Sequence, residues 1–573
     1  MKLAQKDLAI IAILAILTLL SHIPFVNVPT LGDESIVLLQ SHAILENKFN
    51  PNLGEYYNTG LGIDLGHPPL FYWIVALFLS IFGQYLWAAK LPIIIFSMIG
   101  VVYTFLLGKE IYNKKTGIMA AILVLFSQLY FVQSSMIYLE IPLTALGIMT
   151  LYYYYKNKLV AYSISASLLV LIKETGLLII AAIFLYEIIK NIKQPKILIK
   201  NLVKLSLPVF IFAAWTLYHK LFIGSGILTR PTSSITDTML KFMARIKYLF
   251  FDEFRFILTT ILVFSVIKIK NIIIQKKRLI IFLLGSVIIS ALILNLKKII
   301  ELIYPLLNTS KPILELTSQI SSYIPFIILF SVFIILLIIY HKNINAQELK
   351  LNLNPLTIAI IITILIFSVS HYFLLRYFLP IIPLIYLIYA RSINLNFKKT
   401  WPIIILILIV LPAVPAQQET KLYVIESNMD YLNTIKIQKQ AASYLEENYK
   451  DNVILTSHPM LIQLRYPLLG HVTNPLNVIE IGHYKDNSLI KEFQTIFDYY
   501  HYKFFLKKEI KENDVTLYDN IYKSTLEDSF DIFYYSPQSL MTEEVKQELI
   551  KEYNLKLIIR FEENGNSAEI YSR

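Results

Sequence analysis

The chain has 573 residues, of which 56% are hydrophobic and 16% are charged, and its mean hydropathy is +0.58. This composition excludes an ordinary soluble protein, which carries more charge on its surface. The sequence has no cysteine, which excludes disulfides, thiolate metal ligands and thiol catalysis. The net charge of +12 gives no reason to expect a nucleic-acid partner, because much of the Lys and Arg lies in short loops between apolar runs.

The distribution of apolar runs divides the chain into two parts. These runs recur from Leu8 to Ala416 and then stop. We therefore expect a membrane domain over residues 1–416 and a soluble α/β domain over residues 417–573. The apolar start at residues 8–20 lacks a small-residue cleavage site, so we interpret it as a retained first helix.

About thirteen transmembrane helices are predicted, because each apolar run approaches the length of about 20 residues that a spanning helix needs. The predicted spans are 8–26, 88–107, 117–136, 141–155, 159–172, 176–190, 203–222, 256–267, 279–296, 322–340, 356–375, 377–390 and 401–416.

One apolar segment, Leu70–Phe82, is predicted to lie at the membrane interface without crossing it. It has only 13 residues and follows Pro68-Pro69. With this segment not spanning, the basic loops near residues 109–115, 156–158, 190–200, 268–278 and 391–399 are all cytoplasmic, as the positive-inside rule expects. The N-terminus is then cytoplasmic in the plasma membrane, and the loop 27–87 and the C-terminal domain are exterior.

In the C-terminal domain, helices are predicted at Ile435–Tyr449, Ser488–Tyr500 and Thr542–Tyr553 from their apolar spacing. Strands are predicted at Val453–Thr456 and Lys503–Leu506. Asn564-Gly565 lies between two further strands, Leu555–Ile559 and Ala568–Tyr571, and indicates a hairpin.

The first exterior loop contains the first candidate site residues. Asp33 and Glu34 follow the first span, and His67 closes the same loop just before the two prolines. Adjacent carboxylates at a membrane boundary must be solvated, paired or functional. Taken alone, the acids fit a solvated helix start better than a catalytic site, and His67 fits a polar interfacial residue.

Four more candidates interrupt apolar stretches later in the chain. Glu140 lies in a short turn, Lys173 at a helix boundary, and Arg376 and Tyr377 between two apolar runs. Taken one at a time, Glu140 fits a bland turn residue as well as a functional one. Lys173 fits an internal ion pair or a snorkelling lysine, and Arg376 fits an interface anchor. The predicted topology, however, places all these polar sites at one membrane face. There, a carboxylate can take a proton from an acceptor hydroxyl, and cations can stabilise a departing phosphate.

These residues lie in motifs that resemble the protein O-mannosyltransferase-like glycosyltransferases of the GT-C superfamily, to which bacterial lipid A aminoarabinose transferase is related. The resemblance runs in order through residues 1–390, and a more distant one links Leu107–Gly117 and the Glu140 turn to oligosaccharyltransferase catalytic subunits. The motifs are Asp33-Glu34, His67-Pro68-Pro69-Leu70-Phe71-Tyr72-Trp73, Tyr138-Leu139-Glu140-Ile141-Pro142, Leu171-Ile172-Lys173 and Arg376-Tyr377-Phe378-Leu379-Pro380.

The resemblance implies an inverting hexosyl- or pentosyltransferase with a polyprenyl-phosphate sugar donor, dolichyl phosphate in an archaeon. It implies that Asp33 is the base, with Glu34 beside it in the catalytic pair. The second exterior acid is usually Asp in the family, and Glu140 leaves open whether this position binds a divalent metal, the substrate or neither. Metal dependence varies among relatives, so no cofactor is assigned. His67, Glu140, Lys173, Arg376 and Tyr377 are the expected substrate-binding residues.

Other functions remain open from the sequence. The acceptor is a protein, a lipid or a glycan. A transporter or flippase of lipid-linked sugars is the alternative, although such proteins favour paired repeats and broken helices, and no repeat is visible here. An envelope scaffold or receptor would leave the loop from Asp33 to His67 unexplained.

Overall fold

The computed structural model describes residues 5–51, 67–223, 235–250, 255–266, 354–369, 374–397, 400–403, 406, 426–480, 530–539, 541 and 543–573. The predicted spans 279–296 and 322–340 lie outside these residues, as does nearly all of 401–416. The helix predicted at Ser488–Tyr500 and the strand predicted at Lys503–Leu506 also lie outside them.

The described N-terminal residues include three α-helices: α1 (Gln5–His22), α2 (Asp33–Glu46) and α3 (Leu70–Phe82). The bounds of α3 are those predicted for the interfacial helix. Two prolines precede it, and Gly83, with φ of +88°, ends it. One face of α3, including Phe71, Val75 and Leu79, is buried against α2 and α4.

Eight helices follow in close succession. They are α4 (Leu86–Ile111), α5 (Lys114–Leu125), α6 (Gln128–Gln133), α7 (Glu140–Tyr155), α8 (Leu159–Ile172), α9 (Leu177–Asn191), α10 (Pro195–Leu205) and α11 (Leu207–Tyr218). The long helix α4 packs against α1, α3, α5 and α7. It approaches α5 at two glycines, where a Cβ added to Gly108 would lie 2.7 Å from the Cα of Gly117. Larger residues at this crossing would separate the two helices.

The predicted span 117–136 is wrong as a single helix. The structure breaks it at Phe126 and Ser127, and the Ser127 hydroxyl donates to the Val124 carbonyl at 2.9 Å, which satisfies an acceptor freed at the helix end. The predicted span 203–222 is also interrupted, because its first residues belong to α10, which meets α11 at a bend of 51°.

Length and apolarity qualify three helical stretches of the described residues as membrane spans: Gln5–Phe25, Leu86–Ile111 and Leu375–Asn396. The bent pair α10 and α11 makes a fourth if it counts as one span. Large apolar side chains such as Ile16, Val160 and Phe210 are exposed, as suits contact with lipid. The total of about thirteen spans therefore stays a prediction.

The other α-helices described in the apolar part are α12 (Ile235–Phe250), α13 (Arg255–Val266), α14 (Pro355–Val369) and α15 (Ile382–Asn396). A 3₁₀ helix, Leu375–Ile381, leads into α15 and contains Pro380. The predicted helix 377–390 therefore begins as an α-helix only at Ile382, with Pro383 in its first turn, where a missing N–H is tolerated.

The described C-terminal residues form a five-stranded mixed sheet with three helices. The elements are α16 (Tyr431–Asn448), β1 (Ile454–Thr456), α17 (Met460–Arg465), β2 (Val478–Glu480), β3 (Ile532–Tyr535), α18 (Glu543–Glu552), β4 (Lys556–Glu563) and β5 (Asn566–Ser572). The strand order is β2-β1-β3-β5-β4, with β1 parallel to both of its neighbours and the remaining pairs antiparallel. The predicted hairpin is confirmed, with Asn564 and Gly565 at positive φ.

This C-terminal part contacts the loop that precedes α2. The Thr30 N–H donates to the Leu469 carbonyl at 3.0 Å, and the buried His471 side chain donates through Nε2 to the Thr30 carbonyl at 2.8 Å. Burial lowers the pKa of His471 to about 4, so this histidine is a neutral donor at physiological pH. The contact fixes the chain three residues before Asp33.

Candidate active site

Asp33 begins helix α2 at a tight turn of the backbone. Gly32 has φ of +57° and ψ of −130°, a conformation that essentially only glycine adopts. A Cβ at Gly32 would also lie 2.7 Å from Oε1 of Glu426. The Asp33 side chain remains 41% exposed, so its carboxylate is both held in place and accessible.

The guanidinium of Arg376 lies at the centre of the site. Its Nη2 donates to Asp33, its Nη1 donates to Glu426, and its Nε lies 3.9 Å from Oε1 of Glu140. The group stacks over the ring of Tyr138 at 4.2 Å, and its side chain is only 7% exposed. The 3₁₀ helix Leu375–Ile381 carries Arg376 into this position.

A second cation lies beside the first. Lys173 Nζ donates to Oε1 of Glu140 at 2.7 Å, and both side chains are almost fully buried. Lys173 has an extended backbone between α8 and a short 3₁₀ turn, and its ammonium lies 4.6 Å from the centre of the Tyr377 ring. Glu140 starts α7, where the helix dipole favours a negative charge.

Glu34 points away from its neighbour Asp33. Its fully buried carboxylate accepts the N–H of Ile137 at 2.9 Å and the N–H of Leu31 at 3.2 Å, and it lies 3.4 Å from Nζ of Lys90. Lys90 also donates to the Val28 carbonyl at 2.8 Å. Glu34, which was predicted with Asp33 as a catalytic residue, thus ties the start of α2 to the Glu140 turn and to α4.

His67 lies at the edge of the cluster and does not contact its central cations. Its Nδ1 lies 2.8 Å from Oε2 of Glu174, the residue after Lys173, and both side chains are partly exposed. Burial alone would raise the pKa of Glu174, but His67 and Lys173 outweigh it and lower this pKa to about 2. The structure therefore brings Asp33, Glu140, Lys173, Arg376 and Tyr377 together, with Glu34 beneath them and His67 beside them.

Two charged residues of this region were missed by the sequence analysis. Lys90 lies within an apolar span, and an ionisable residue there is itself a signal of a buried partner. Glu426 follows the last predicted span, in a stretch with no local motif, so no sequence signal identifies it. Only the folded chain brings it to Arg376.

The acidic side chains of the site are arranged around cations. Asp33, Glu140 and Glu426 each face the guanidinium of Arg376, which lies among them. Among the described residues, no group of three His, Asp or Glu side chains converges as metal ligands do. The described residues of the site therefore do not provide the ligand set of a metal ion.

Two comparisons with known proteins show what this chain is similar to. Residues 66–219 match the family model of the dolichyl-phosphate-mannose-protein mannosyltransferases. The structure of ArnT from Cupriavidus metallidurans in the apo state is similar to this chain with a TM-score of 0.50 and 9% identity, over 98% of this chain and 97% of that one. The predicted resemblance to the GT-C superfamily is confirmed.

Other GT-C structures are similar at lower scores. ArnT bound to undecaprenyl phosphate gives a TM-score of 0.48 with 10% identity, over 98% of this chain and 97% of that one. The archaeal oligosaccharyltransferase AglB from Archaeoglobus fulgidus, in complex with an inhibitory peptide and a dolichol-phosphate, gives 0.43 with 12% identity, over 93% of this chain and 69% of that one. No curated protein matches the chain. At 9% identity, the likeness to the apo ArnT structure shows the fold alone.

The contact between the buried side chains of Glu34 and Lys90 predicts strong energetic coupling between these two residues. Glu34→Gln or Lys90→Met should each lower the apparent melting temperature, because a buried charge that loses its partner costs about 3–5 kcal/mol. The double variant should lose much less than the sum of the two losses. Thermal unfolding of the purified protein in detergent measures both effects.

The control is the exposed pair Lys436 and Glu563, whose charged atoms lie 2.6 Å apart. The same cycle there should show coupling below about 1 kcal/mol. Additive losses at Glu34 and Lys90 would contradict the assignment of this pair as the structural tie of the site.

Proposed function

We propose that this protein is a membrane glycosyltransferase that moves a sugar from a polyprenyl-phosphate carrier to an acceptor hydroxyl. One observation carries the proposal: the accessible carboxylate of Asp33 pairs with the buried Arg376, and the buried Lys173 binds the Glu140 oxygen that lies 3.9 Å from Nε of Arg376. The family model that matches residues 66–219 describes enzymes that use dolichyl-phosphate-mannose, and this description supports a lipid-phosphate donor.

Asp33 is the general base in this proposal. The acceptor oxygen attacks the anomeric carbon from the side opposite the phosphate and passes its proton to the Asp33 carboxylate. The bond between the anomeric carbon and the phosphate oxygen breaks, and its electron pair leaves with the lipid phosphate. Attack from the opposite side inverts the configuration at the anomeric carbon. The hydrogen bond from Arg376 orients the carboxylate for this step.

Arg376 and Lys173 hold the phosphate of the donor. A guanidinium offers several N–H donors in a fixed plane, and its Nε has no hydrogen-bond partner among the described groups. Both cations are nearly buried, where the interaction with a developing phosphate charge is stronger than in water. Glu140 and the Tyr377 ring hold the Lys173 ammonium in place.

Glu34 and His67 have supporting roles in this proposal. Glu34 is a positioning residue, because both of its carboxylate oxygens accept backbone N–H groups. His67 borders the donor site through Glu174 and contacts the sugar or the acceptor instead of the phosphate. The acceptor is a protein, a lipid or a glycan that reaches Asp33 from its exposed side.

We further propose that the site faces the exterior of the cell. This orientation follows from the basic loops, which the positive-inside rule assigns to the cytoplasm. Because the chain has no cysteine, a single cysteine introduced at Lys450, an exposed position after α16, should react with a membrane-impermeant maleimide on intact cells. A cysteine at Lys115, which is exposed at the start of α5, should react only after permeabilisation. The opposite pattern would contradict the orientation.

The Asp33→Asn variant tests the function. It keeps the size and polarity of the side chain but removes its basicity, so transfer should fall by about 10²–10⁴-fold. The measurement follows label from a polyprenyl-phosphate sugar into the acceptor fraction of membranes with matched protein levels.

Glu46→Gln is the matched control. Glu46 ends the same helix α2, and its side chain is 42% exposed, close to the 41% of Asp33. This variant should transfer normally. Undiminished transfer by Asp33→Asn would remove Asp33 as the base, whereas wild-type membranes that transfer no label would favour a transporter.

A further inference from the structure

Glu426 is a charged residue of the site that the proposed reaction does not use. Its Oε2 accepts from Nη1 of Arg376, and its Oε1 accepts from the hydroxyl of Tyr138 at 2.7 Å. Its backbone carbonyl accepts from Gln133 at 2.8 Å. Glu426 lies in the turn before helix α16, so the C-terminal part of the chain contributes a carboxylate directly to the site.

The charges around Arg376 do not balance when Glu426 is ionised. Arg376 and Lys173 supply two positive charges, whereas Asp33, Glu140 and Glu426 supply three negative ones. The phosphodiester of a lipid-linked sugar would bring a fourth negative charge to the same two cations. Like charges in a poorly solvated cluster repel strongly, so one carboxylate must become neutral or withdraw before an anion can bind.

Glu426 is the carboxylate best suited to become neutral or to withdraw. Glu140 is held by Lys173 within the buried pair, and Asp33 must stay ionised to act as a base. Burial raises the pKa of Glu426 to about 7, and the charges of Asp33 and Glu140 add to this effect, whereas Arg376 and Tyr138 oppose it. A turn, rather than a helix or strand, carries Glu426.

We propose that Glu426 is a positioning residue of the donor site, which holds the Arg376 guanidinium in the free protein and gives it up to the donor phosphate. The inference rests on the proposed function, because it takes Arg376 as a phosphate ligand. It assigns a task to the C-terminal part of the chain: this part supplies the anion that keeps Arg376 in place between Tyr138 and Asp33 until the donor arrives. Donor binding is then coupled to the protonation or withdrawal of Glu426.

The coupling has a defined sign. The neutral fraction of a carboxyl group with a pKa of about 7 rises from about one tenth at pH 8 to about nine tenths at pH 6. A phosphodiester keeps one negative charge over this range, so the donor itself does not titrate. Donor affinity should therefore increase by up to about tenfold as the pH falls from 8 to 6.

The experiment titrates dolichyl methyl phosphate, a phosphodiester without a sugar to transfer, against the full-length protein in nanodiscs at pH 6 and pH 8. The wild type should bind up to about tenfold more tightly at pH 6. Glu426→Gln keeps the size of the side chain and its contact with Tyr138, and it should bind tightly at both pH values. Glu447→Gln, at an exposed position of α16, is the matched control and should behave as the wild type.

The variant Arg376→Lys keeps the charge but loses the planar guanidinium. It distinguishes a failure of the inference about Glu426 from a failure of the proposed function. Weaker binding by Arg376→Lys, together with a Glu426→Gln variant that keeps the wild-type affinity and pH dependence, would overturn the role of Glu426 alone. Unchanged binding by Arg376→Lys would overturn the assignment of Arg376 in the proposed function. Weaker binding by Glu426→Gln at both pH values would also overturn the inference, because a competing carboxylate cannot strengthen binding.

Discussion

The site depends on the contacts that the guanidinium of Arg376 makes. It joins the start of α2 through Asp33, the start of α7 through Glu140 and the C-terminal part through Glu426. These segments are far apart in sequence, and an arginine can join them because its planar group donates in several fixed directions. The same property makes it a suitable ligand for a phosphate, so one residue assembles the site and, in the proposed function, also binds the anionic donor.

Burying a charge costs free energy, and this site contains two groups of buried charges. In the first group, Glu34 and Lys90 are saturated by each other and by backbone groups, so they fix the geometry and have little capacity left for a ligand. In the second group, Arg376 has more negatively charged neighbours than its single charge can neutralise. An anionic substrate can exchange with such neighbours, so we expect binding and chemistry at this second group.

Local signals in the sequence predicted much of this fold. The prolines before Leu70 and the glycine after Phe82 define both ends of α3, and Asn564-Gly565 defines the hairpin, because such residues determine the backbone by themselves. The break at Ser127 was missed, since the apolar run continues through it. The different surroundings of Asp33 and Glu34 could not be predicted for another reason: burial separates these adjacent acids, and burial depends on the Ile137 turn and on distant Lys90. Glu426 enters the site only through tertiary contacts.

The proposal that Arg376 and Lys173 form the donor phosphate site is tested most directly with a neutral version of the buried pair. Glu140→Gln combined with Lys173→Met removes one charge of each sign, so no buried charge of this pair is left without its partner. We expect this variant to fold with a melting temperature close to that of the wild type and to bind dolichyl methyl phosphate at least about tenfold more weakly, since a hydrogen bond to a charged group contributes about 1.5–3 kcal/mol. A folded variant with the dissociation constant of the wild type would contradict the assignment and leave the pair with a structural role only.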